Sequence, residues 1–317
     1  TTDLRAVRSN RVTTLDRKEI MLSCNIDTAA DLAKVASVFP VGMREIKLFR
    51  TEEDLLQGRG FGSAGLIRDE ETQALIYRQA VKICGSNGAT IRTVDWGGEK
   101  SPTGRRIANP ALGIRGIRYS LMHPDTLMIQ LRAACRASSE GPVRIMAPMV
   151  TEAQEIVELQ AYLNQAISEV EHHGIKRDNI KIGAMIEVGA ATGVMLDKIL
   201  GQVSFVGVGS NDLTQHILGV DRLFSARDKE GRWERRFGPH NPAVLEVLCR
   251  VFDRCAKANI RASLCGELAS IPFFAAMSVG AGATDLSISP RAAWPMMTVL
   301  QHLHFGRSQD LVQYMIN

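Results

Sequence analysis

The sequence predicts a (β/α)8 barrel. Eight short apolar segments with strand character follow one another along the 317 residues, and most are followed by an amphipathic stretch. Strands that alternate with helices form parallel sheets covered by helices, and eight such units close into a barrel. An open doubly wound sheet is the alternative, which the count of eight disfavours.

Each strand is expected where apolar and β-branched residues cluster between turn residues. The clearest helix is predicted over 152–171, because its apolar residues recur every three or four positions. Thr151, followed by Glu152 and Glu155, is a plausible start for this helix. The eight predicted strands are 20–26, 44–50, 89–95, 143–150, 181–187, 203–210, 261–267 and 284–289.

The domain organisation is predicted to be simple. The long segments 51–88 and 96–142 are interpreted as decorated connections within one barrel, and no repeat or linker is visible. We therefore expect a single domain over 1–317.

Composition excludes several classes of function. The net charge of +4 is too mild and too dispersed for a nucleic-acid-binding protein, although it suits a small anionic substrate. No apolar run has the length of a membrane span, and no signal peptide is visible. The six cysteines form no C-x-x-C pair, which favours reduced thiols and a cytoplasmic protein.

Polar side chains collect where the predicted strands end. In a (β/α)8 enzyme the chemistry lies at the carboxyl ends of the strands, whereas structural residues are expected at both rims. This collection is the main argument from the residues themselves for a functional site. The residues concerned are Arg50, Arg92, Asp95, Glu187, Asn211, Asp212, Cys265 and Glu267.

Two of these residues are candidate metal ligands. Glu187 and Asp212 follow neighbouring predicted strands, and two carboxylates suit a hard divalent cation that keeps water and substrate oxygen as its other ligands. The alternative for Asn211 and Asp212 is a simple helix N-cap, a common position for both residue types.

Four arginines point to an anionic ligand. Guanidinium groups bind carboxylate and phosphate oxygens two at a time, so Arg50, Arg92, Arg115 and Arg222 together favour a phosphorylated carboxylic acid. The alternative is that each arginine pairs with a nearby acidic residue at the surface.

Several motifs carry a resemblance to a known family. They occur at 48–52 (Leu-Phe-Arg-Thr-Glu), 92–100, 109–118, 144–149, 185–187, 209–215 (Gly-Ser-Asn-Asp-Leu-Thr-Gln), 220–222 and 265–269 (Cys-Gly-Glu-Leu-Ala). In this order they resemble the phosphoenolpyruvate-binding barrel of enzyme I, the phosphoenolpyruvate–protein phosphotransferase of the bacterial sugar phosphotransferase system. Pyruvate phosphate dikinase and phosphoenolpyruvate synthase share the barrel, but these motifs are closer to enzyme I.

The resemblance implies a role for each matching residue. Arg50, Arg92 and Arg222 would hold the phosphate and carboxylate of phosphoenolpyruvate, with Arg115 and Lys100 assisting. Glu187 and Asp212 would ligate Mg²⁺, and Asn211 would bind a substrate oxygen. Cys265 would protonate the methylene carbon to give pyruvate, although a buried structural cysteine is the commoner fate of this residue type. The family also implies a homodimer formed through the barrel.

The chain also departs from the family pattern. None of its seven histidines lies in the Thr-Ser-His context of the family's phosphoryl acceptor. We therefore expect the acceptor, and the histidine phosphocarrier protein that it serves, to act through an N-terminal domain that this chain lacks. The segments 53–62 and 223–238 also differ from the family pattern, which bears on affinity and loop closure.

Two other functions stay open at this stage. One is a phosphoenolpyruvate-sensing regulatory module, which would have no need of a proton donor such as Cys265. The other is a Mg²⁺-dependent aldolase or lyase acting on pyruvate-like acids, which would have less need of three arginines and Lys100.

Overall fold

The protein folds as a closed barrel of eight parallel strands, as the sequence predicts. The computed structural model describes residues 11–39, 44–52, 69–96, 109, 111–172, 180–221 and 237–317. Within them the barrel strands are β2 (Glu19–Ile26), β3 (Ile46–Phe49), β4 (Ala89–Arg92), β5 (Val143–Ala147), β6 (Lys181–Ile186), β7 (Phe205–Gly209), β8 (Arg261–Cys265) and β9 (Asp285–Ile288).

The first and last barrel strands pair with each other and close the sheet. Met21 of β2 lies opposite Asp285 of β9, and Cys24 lies opposite Ile288. Each remaining strand pairs in parallel with the next one in sequence. This closure rules out the open doubly wound sheet.

A short ninth strand lies outside the barrel. Strand β1 (Arg11–Thr13) pairs antiparallel with β2, and Val12 lies opposite Ile20. The sequence does not predict this strand, because three residues are too few to show a period of two.

Twelve α-helices surround the barrel within the described residues. They are α1 (Ala29–Val38), α2 (Glu70–Cys84), α3 (Ile117–Met122), α4 (Pro124–Ala137), α5 (Ala153–His172), α6 (Gly189–Thr192), α7 (Leu196–Leu200), α8 (Ser210–Leu218), α9 (Pro242–Lys257), α10 (Pro272–Gly280), α11 (Ala293–His302) and α12 (Phe305–Ile316). No helix in these parts of the chain is long and apolar enough to cross a membrane.

Helix α5 confirms the prediction made from its apolar spacing. Its buried face comprises Ile156, Leu159, Leu163, Ala166 and Val170. The Glu155 carboxylate accepts the backbone amides of Thr151 and Glu152 at 2.6 and 3.1 Å, so it satisfies donors that the first turn leaves unpaired.

Two layers of apolar side chains fill the molecule. The larger core lies between the strands and the helices, and a separate cluster of five buried side chains comes from five different strands. This second cluster fills the barrel interior and consists of Leu48, Met146, Met185, Phe205 and Cys265. All six cysteines are free thiols.

Charged residues plug the amino-terminal end of the barrel. Buried Glu45 contacts Lys47 at 3.1 Å and both Arg144 and Arg261 at 3.3 Å, while buried Asp285 contacts Arg261 at 2.8 Å and Lys47 at 3.3 Å. Charged residues therefore also lie at the amino-terminal end of the barrel, where structural residues are expected as well. The ion pairs of Glu45 and Asp285 close the amino-terminal end of the barrel and stabilise the fold.

Replacing Glu45 by Ala should lower the free energy of unfolding by about 3–5 kcal/mol, because it removes the buried counter-ion that Lys47, Arg144 and Arg261 share. Urea denaturation measures this loss. The matched control is Glu246→Gln, which breaks an exposed pair with Arg250 and should cost less than about 1 kcal/mol. A Glu45→Ala loss as small as that of the control would contradict the account of the plug.

Candidate functional site

The predicted site residues that the structure describes meet at the carboxyl-terminal rim. Arg92 is the last residue of β4, Cys265 is the last residue of β8, and Arg50 and Glu187 directly follow β3 and β6. Asn211 and Asp212 lie in the first turn of α8, which follows β7 without a loop. Arg115 reaches the same place from the segment before α3. Lys100 and Arg222 lie outside the described residues, as do most of the segments 53–62 and 223–238.

Glu187 is the most enclosed of the predicted acidic residues. It is 1% exposed, and its Oε1 accepts the backbone N–H of Met149 at 2.8 Å. Met149 has a φ of 59°, which is unusual for a residue with a side chain and directs its amide at this carboxylate. The carbonyl oxygen of Glu187 lies 2.6 Å from Nδ1 of His216 on α8.

A glycine makes room for this carboxylate. A Cβ atom at Gly209 of β7 would lie 2.2 Å from Oε2 of Glu187, which no real side chain tolerates. The glycine at the end of β7 therefore lets a carboxylate from the neighbouring strand lie against the backbone.

Burial controls the protonation of Glu187. Loss of hydration raises its pKa, and the nearby negative charges of Asp212 and Asp95 raise it further. Arg92 and Arg115 act in the opposite direction but do not outweigh these effects. A bound cation would reverse this balance, because it favours the ionised carboxylate.

Two buried arginines connect the carboxylates of the rim. Arg92 donates to Glu52 at 2.9 Å and lies 3.5 Å from Asp95. Arg115 binds both oxygens of Asp95, at 3.0 and 2.6 Å, and also contacts Asp212 at 3.3 Å. Burial lowers the pKa of each arginine, but the adjacent carboxylates raise it more, so both guanidiniums stay charged. The alternative interpretation, in which each arginine pairs with a nearby acidic residue, is thus correct for Arg92 and Arg115. These ion pairs are buried, however, and do not lie at the surface.

The partners of Arg92 were not assigned by sequence reasoning. Glu52 is 1% exposed, and its Oε1 also accepts the backbone amide of Asp95 at 2.6 Å, which fastens the end of β3 to the end of β4. Glu52 and Asp95 both stand in the motifs identified from sequence, but nothing in the spacing shows that they hold arginines.

The buried side-chain amide of Gln130 holds the segments that follow β3 and β4. Gln130 of α4 donates to the hydroxyl oxygens of Thr51 and Tyr77 at 3.0 and 3.2 Å, and its side-chain oxygen accepts the Val94 amide at 3.1 Å. These bonds fix the backbone on both sides of Arg92. The Nε–H of Arg92 is nonetheless buried without an acceptor in the described part of the chain.

Asn211 and Asp212 do not act as a helix N-cap. The N-cap of α8 is Gly209, and no side chain caps the helix there. Asp212 is instead 7% exposed and contacts Arg115, and Ser210 donates to the carbonyl oxygen of Cys265 at 2.9 Å. This geometry rejects the simpler interpretation of the pair.

Arg50 differs from the other two arginines. Its Nη1 lies 2.8 Å from Asp27, which directly follows β2, and it lines a cavity of about 350 Å³. Asn25, Lys34 and Arg291 also line this cavity. Arg50 therefore offers a cation to an open space, whereas Arg92 and Arg115 face buried carboxylates.

Cys265 lies within the barrel interior and is fully buried. Its sulfur is 3.6 Å from the hydroxyl of Ser263. Burial raises the pKa of the thiol to about 11, so the group is protonated at neutral pH. Such a thiol has the protonation state of a proton donor, and it also has the burial of a structural cysteine.

The charge balance of the rim fits a divalent cation. Four carboxylates, from Glu52, Asp95, Glu187 and Asp212, surround the two guanidiniums of Arg92 and Arg115. Among the described residues no group of three or more histidine, cysteine or acidic side chains is arranged as a complete metal site. Mg²⁺ needs only one or two protein carboxylates, so the pair Glu187 and Asp212 fits this ion.

Fold and site together define a (β/α)8 protein whose carboxyl-terminal rim carries buried carboxylates and arginines. Residues 2–305 match the family model of the PEP-utilising enzyme, PEP-binding domain. The chain therefore belongs to this family of phosphoenolpyruvate-binding domains.

Curated relatives extend this result. The phosphoenolpyruvate-protein phosphotransferase of Cupriavidus necator is 34% identical over 322 residues, which cover 99% of this chain and 52% of the relative. A protein of Salmonella typhimurium named for the phosphoenolpyruvate-dependent phosphotransferase system is 34% identical over 272 residues, 84% of this chain and 35% of the relative. The chain thus spans about half the length of the first relative, and the resemblance to enzyme I is confirmed.

A solved structure supports the fold alone. A citrate lyase from Burkholderia xenovorans superposes with a TM-score of 0.50 at 15% identity, over 88% of this chain and 76% of that chain.

Replacing Gly209 by Ala should displace the Glu187 carboxylate and lower the free energy of unfolding by about 1–3 kcal/mol, since the new methyl group cannot fit. Urea denaturation measures the change. Gly189→Ala is the control, because a Cβ at this helical position meets nothing within 4 Å and should not destabilise the protein. Equal stability of the two variants would contradict the described seat of Glu187.

Proposed function

We propose that this chain is the phosphoenolpyruvate-binding part of a phosphoenolpyruvate–protein phosphotransferase. In this proposal it presents the phosphoryl group to a histidine on an N-terminal domain outside the chain, which then serves a histidine phosphocarrier protein. The observation that carries the proposal is the composition of the rim. The carboxylates of Glu187 and Asp212, which suit a divalent cation, lie close to the buried guanidiniums of Arg92 and Arg115.

The hydrogen-bond donors of the rim suit both charged groups of phosphoenolpyruvate. Phosphoenolpyruvate carries a phosphate and a carboxylate, and guanidinium groups bind both. Arg50 faces a cavity, and the buried Nε–H of Arg92 has no acceptor in the described chain, so both arginines can donate to a bound anion. Arg222, Lys100 and Arg115 complete the proposed substrate-binding set, and Asn211 would bind a substrate oxygen.

Mg²⁺, held by Glu187 and Asp212, would supply positive charge that stabilises both the departing phosphoryl group and the enolate left behind. The arginines orient the phosphate and neutralise its charge. The bond between phosphorus and the enol oxygen breaks as the bond to the acceptor histidine nitrogen forms.

Cys265 would complete the reaction. Its thiol proton passes to the methylene carbon of the enolate, which yields pyruvate and leaves a thiolate to be reprotonated. The raised pKa keeps this proton in place at neutral pH until the enolate, a much stronger base, is formed. A regulatory module that only senses phosphoenolpyruvate would not need this donor, so Cys265 favours the enzyme.

The proposal also includes a homodimer formed through the barrel, as the resemblance implies. Gel filtration with light scattering distinguishes it from a monomer.

Asp212→Asn should weaken Mg²⁺-dependent binding of phosphoenolpyruvate by at least about tenfold, because it removes a charged ligand of the proposed metal. Isothermal titration calorimetry measures the affinity. The control is Asp197→Asn, which removes the same charge from an exposed carboxylate paired with Arg254. Unchanged affinity in Asp212→Asn would contradict the metal assignment.

Cys265→Ala should leave phosphoenolpyruvate affinity nearly unchanged but abolish Mg²⁺-dependent exchange of pyruvate methyl protons with solvent. In this reverse direction the thiolate must remove a proton. Because the pKa is raised to about 11, the thiolate fraction and the wild-type exchange rate should rise about tenfold per pH unit from pH 7 to 9.

Deuterium incorporation, followed by NMR, measures this exchange. Cys249→Ala is the control, because this half-buried cysteine lies on helix α9 and not on a barrel strand. Exchange in Cys265→Ala at the wild-type rate would remove the proposed proton donor.

A further inference from the structure

We infer that Asp27 is an internal placeholder for the phosphoryl group, which the substrate displaces from Arg50 when it binds. This inference rests on the proposed function and adds a residue that controls the affinity and specificity of the same site. It follows from the difference between the ion pair of Arg50 and those of the other rim arginines.

The arginines at the rim have two kinds of counter-ion. Glu52 and Asp95, which hold Arg92 and Arg115, have side chains only 2% and 6% exposed, so neither can move into water. The Asp27 side chain is 45% exposed, although its 2.8 Å contact with Arg50 is as short as theirs. Of these three carboxylates, only that of Asp27 is exposed enough to leave its arginine and become hydrated without a large rearrangement.

The two partners have few other attachments. Within the residues that the structure describes, the Asp27 carboxylate makes no hydrogen bond besides the one to Arg50. Arg50 uses one terminal nitrogen for this bond, and its other guanidinium nitrogens donate to no described residue. An incoming anion can thus bind Arg50 through two parallel hydrogen bonds, which a single carboxylate oxygen cannot match.

The backbone around Asp27 is fixed, so the carboxylate is held over Arg50. The amides of Asp27 and Thr28 both donate to Oδ2 of Asp31 at 3.2 Å, in the capping box that begins α1. Only the Asp27 side chain must rotate when it is displaced. The cavity of about 350 Å³ in front of Arg50 has room for that rotation and for an anion.

The geometry predicts which ligands compete with Asp27. A phosphate group on Arg50 must displace the carboxylate, so the ion pair weakens phosphate binding by its own free energy. In this inference Arg50 takes the phosphate and the other arginines take the carboxylate, so pyruvate, which has no phosphate, leaves the pair intact. Asp27 therefore lowers the affinity for phosphate-bearing ligands selectively.

The test compares wild type with Asp27→Asn by calorimetry, using phosphoenolpyruvate with Mg²⁺, inorganic phosphate, and pyruvate with Mg²⁺. Asp27→Asn should bind the first two about two- to fivefold more tightly, the range expected for a partly exposed ion pair. Pyruvate affinity should not change. In an Arg50→Lys background the Asp27→Asn gain should shrink, because lysine cannot bind an anion with a planar fork.

Glu267→Gln is the matched control. This exposed carboxylate lines the same cavity, so its removal changes the local charge equally without touching the pair. An equal gain in Glu267→Gln, a loss or no change of affinity in Asp27→Asn, or an equal gain for pyruvate would each overturn the inference.

The inference and the proposed function can fail separately. If phosphoenolpyruvate binds neither wild type nor any variant, the proposed function is contradicted, while inorganic phosphate still tests Asp27. If wild type binds phosphoenolpyruvate and Asp27→Asn binds it equally well, only the placeholder role is contradicted.

Discussion

The rim of this barrel depends on a carboxylate buried at the end of a strand. Glu187 is held by one backbone amide, that of Met149, and by the space that Gly209 leaves free. Burial and the negative charges of Asp212 and Asp95 disfavour its ionised form. A carboxylate in such a place needs a counter-charge, which the nearby guanidiniums of Arg92 and Arg115 supply in part.

The rim arginines form two groups, according to whether their acidic partners are buried or exposed. Arg92 and Arg115 neutralise carboxylates that cannot move, and so they keep the rim folded as well as charged. Arg50 stands at a cavity with a counter-ion that can leave. The group of ion pairs around Glu45 at the opposite rim also joins buried carboxylates to cations, so charge alone does not mark a functional site.

The strands and their polar ends could be predicted from sequence, because apolar runs and strand-end motifs are local. The eight predicted segments match the barrel strands, and seven of the eight observed strands end earlier than predicted, at the polar residues of the rim. The ion pairs could not be predicted. Arg115 and Asp212 are 97 residues apart, and Arg92 and Glu52 are 40 apart, so only the closed barrel brings them together. The strand at Arg11–Thr13 was also too short for any periodic signal.

The central claim is that this rim binds phosphoenolpyruvate through a divalent cation held by Glu187 and Asp212. Calorimetric titration of phosphoenolpyruvate into the wild-type chain, with Mg²⁺ and again with EDTA, tests it most directly. We expect saturable binding at one site per chain with Mg²⁺ and a large loss of affinity with EDTA. Equal affinity in both conditions would contradict the metal site, and absence of binding in both would contradict the substrate.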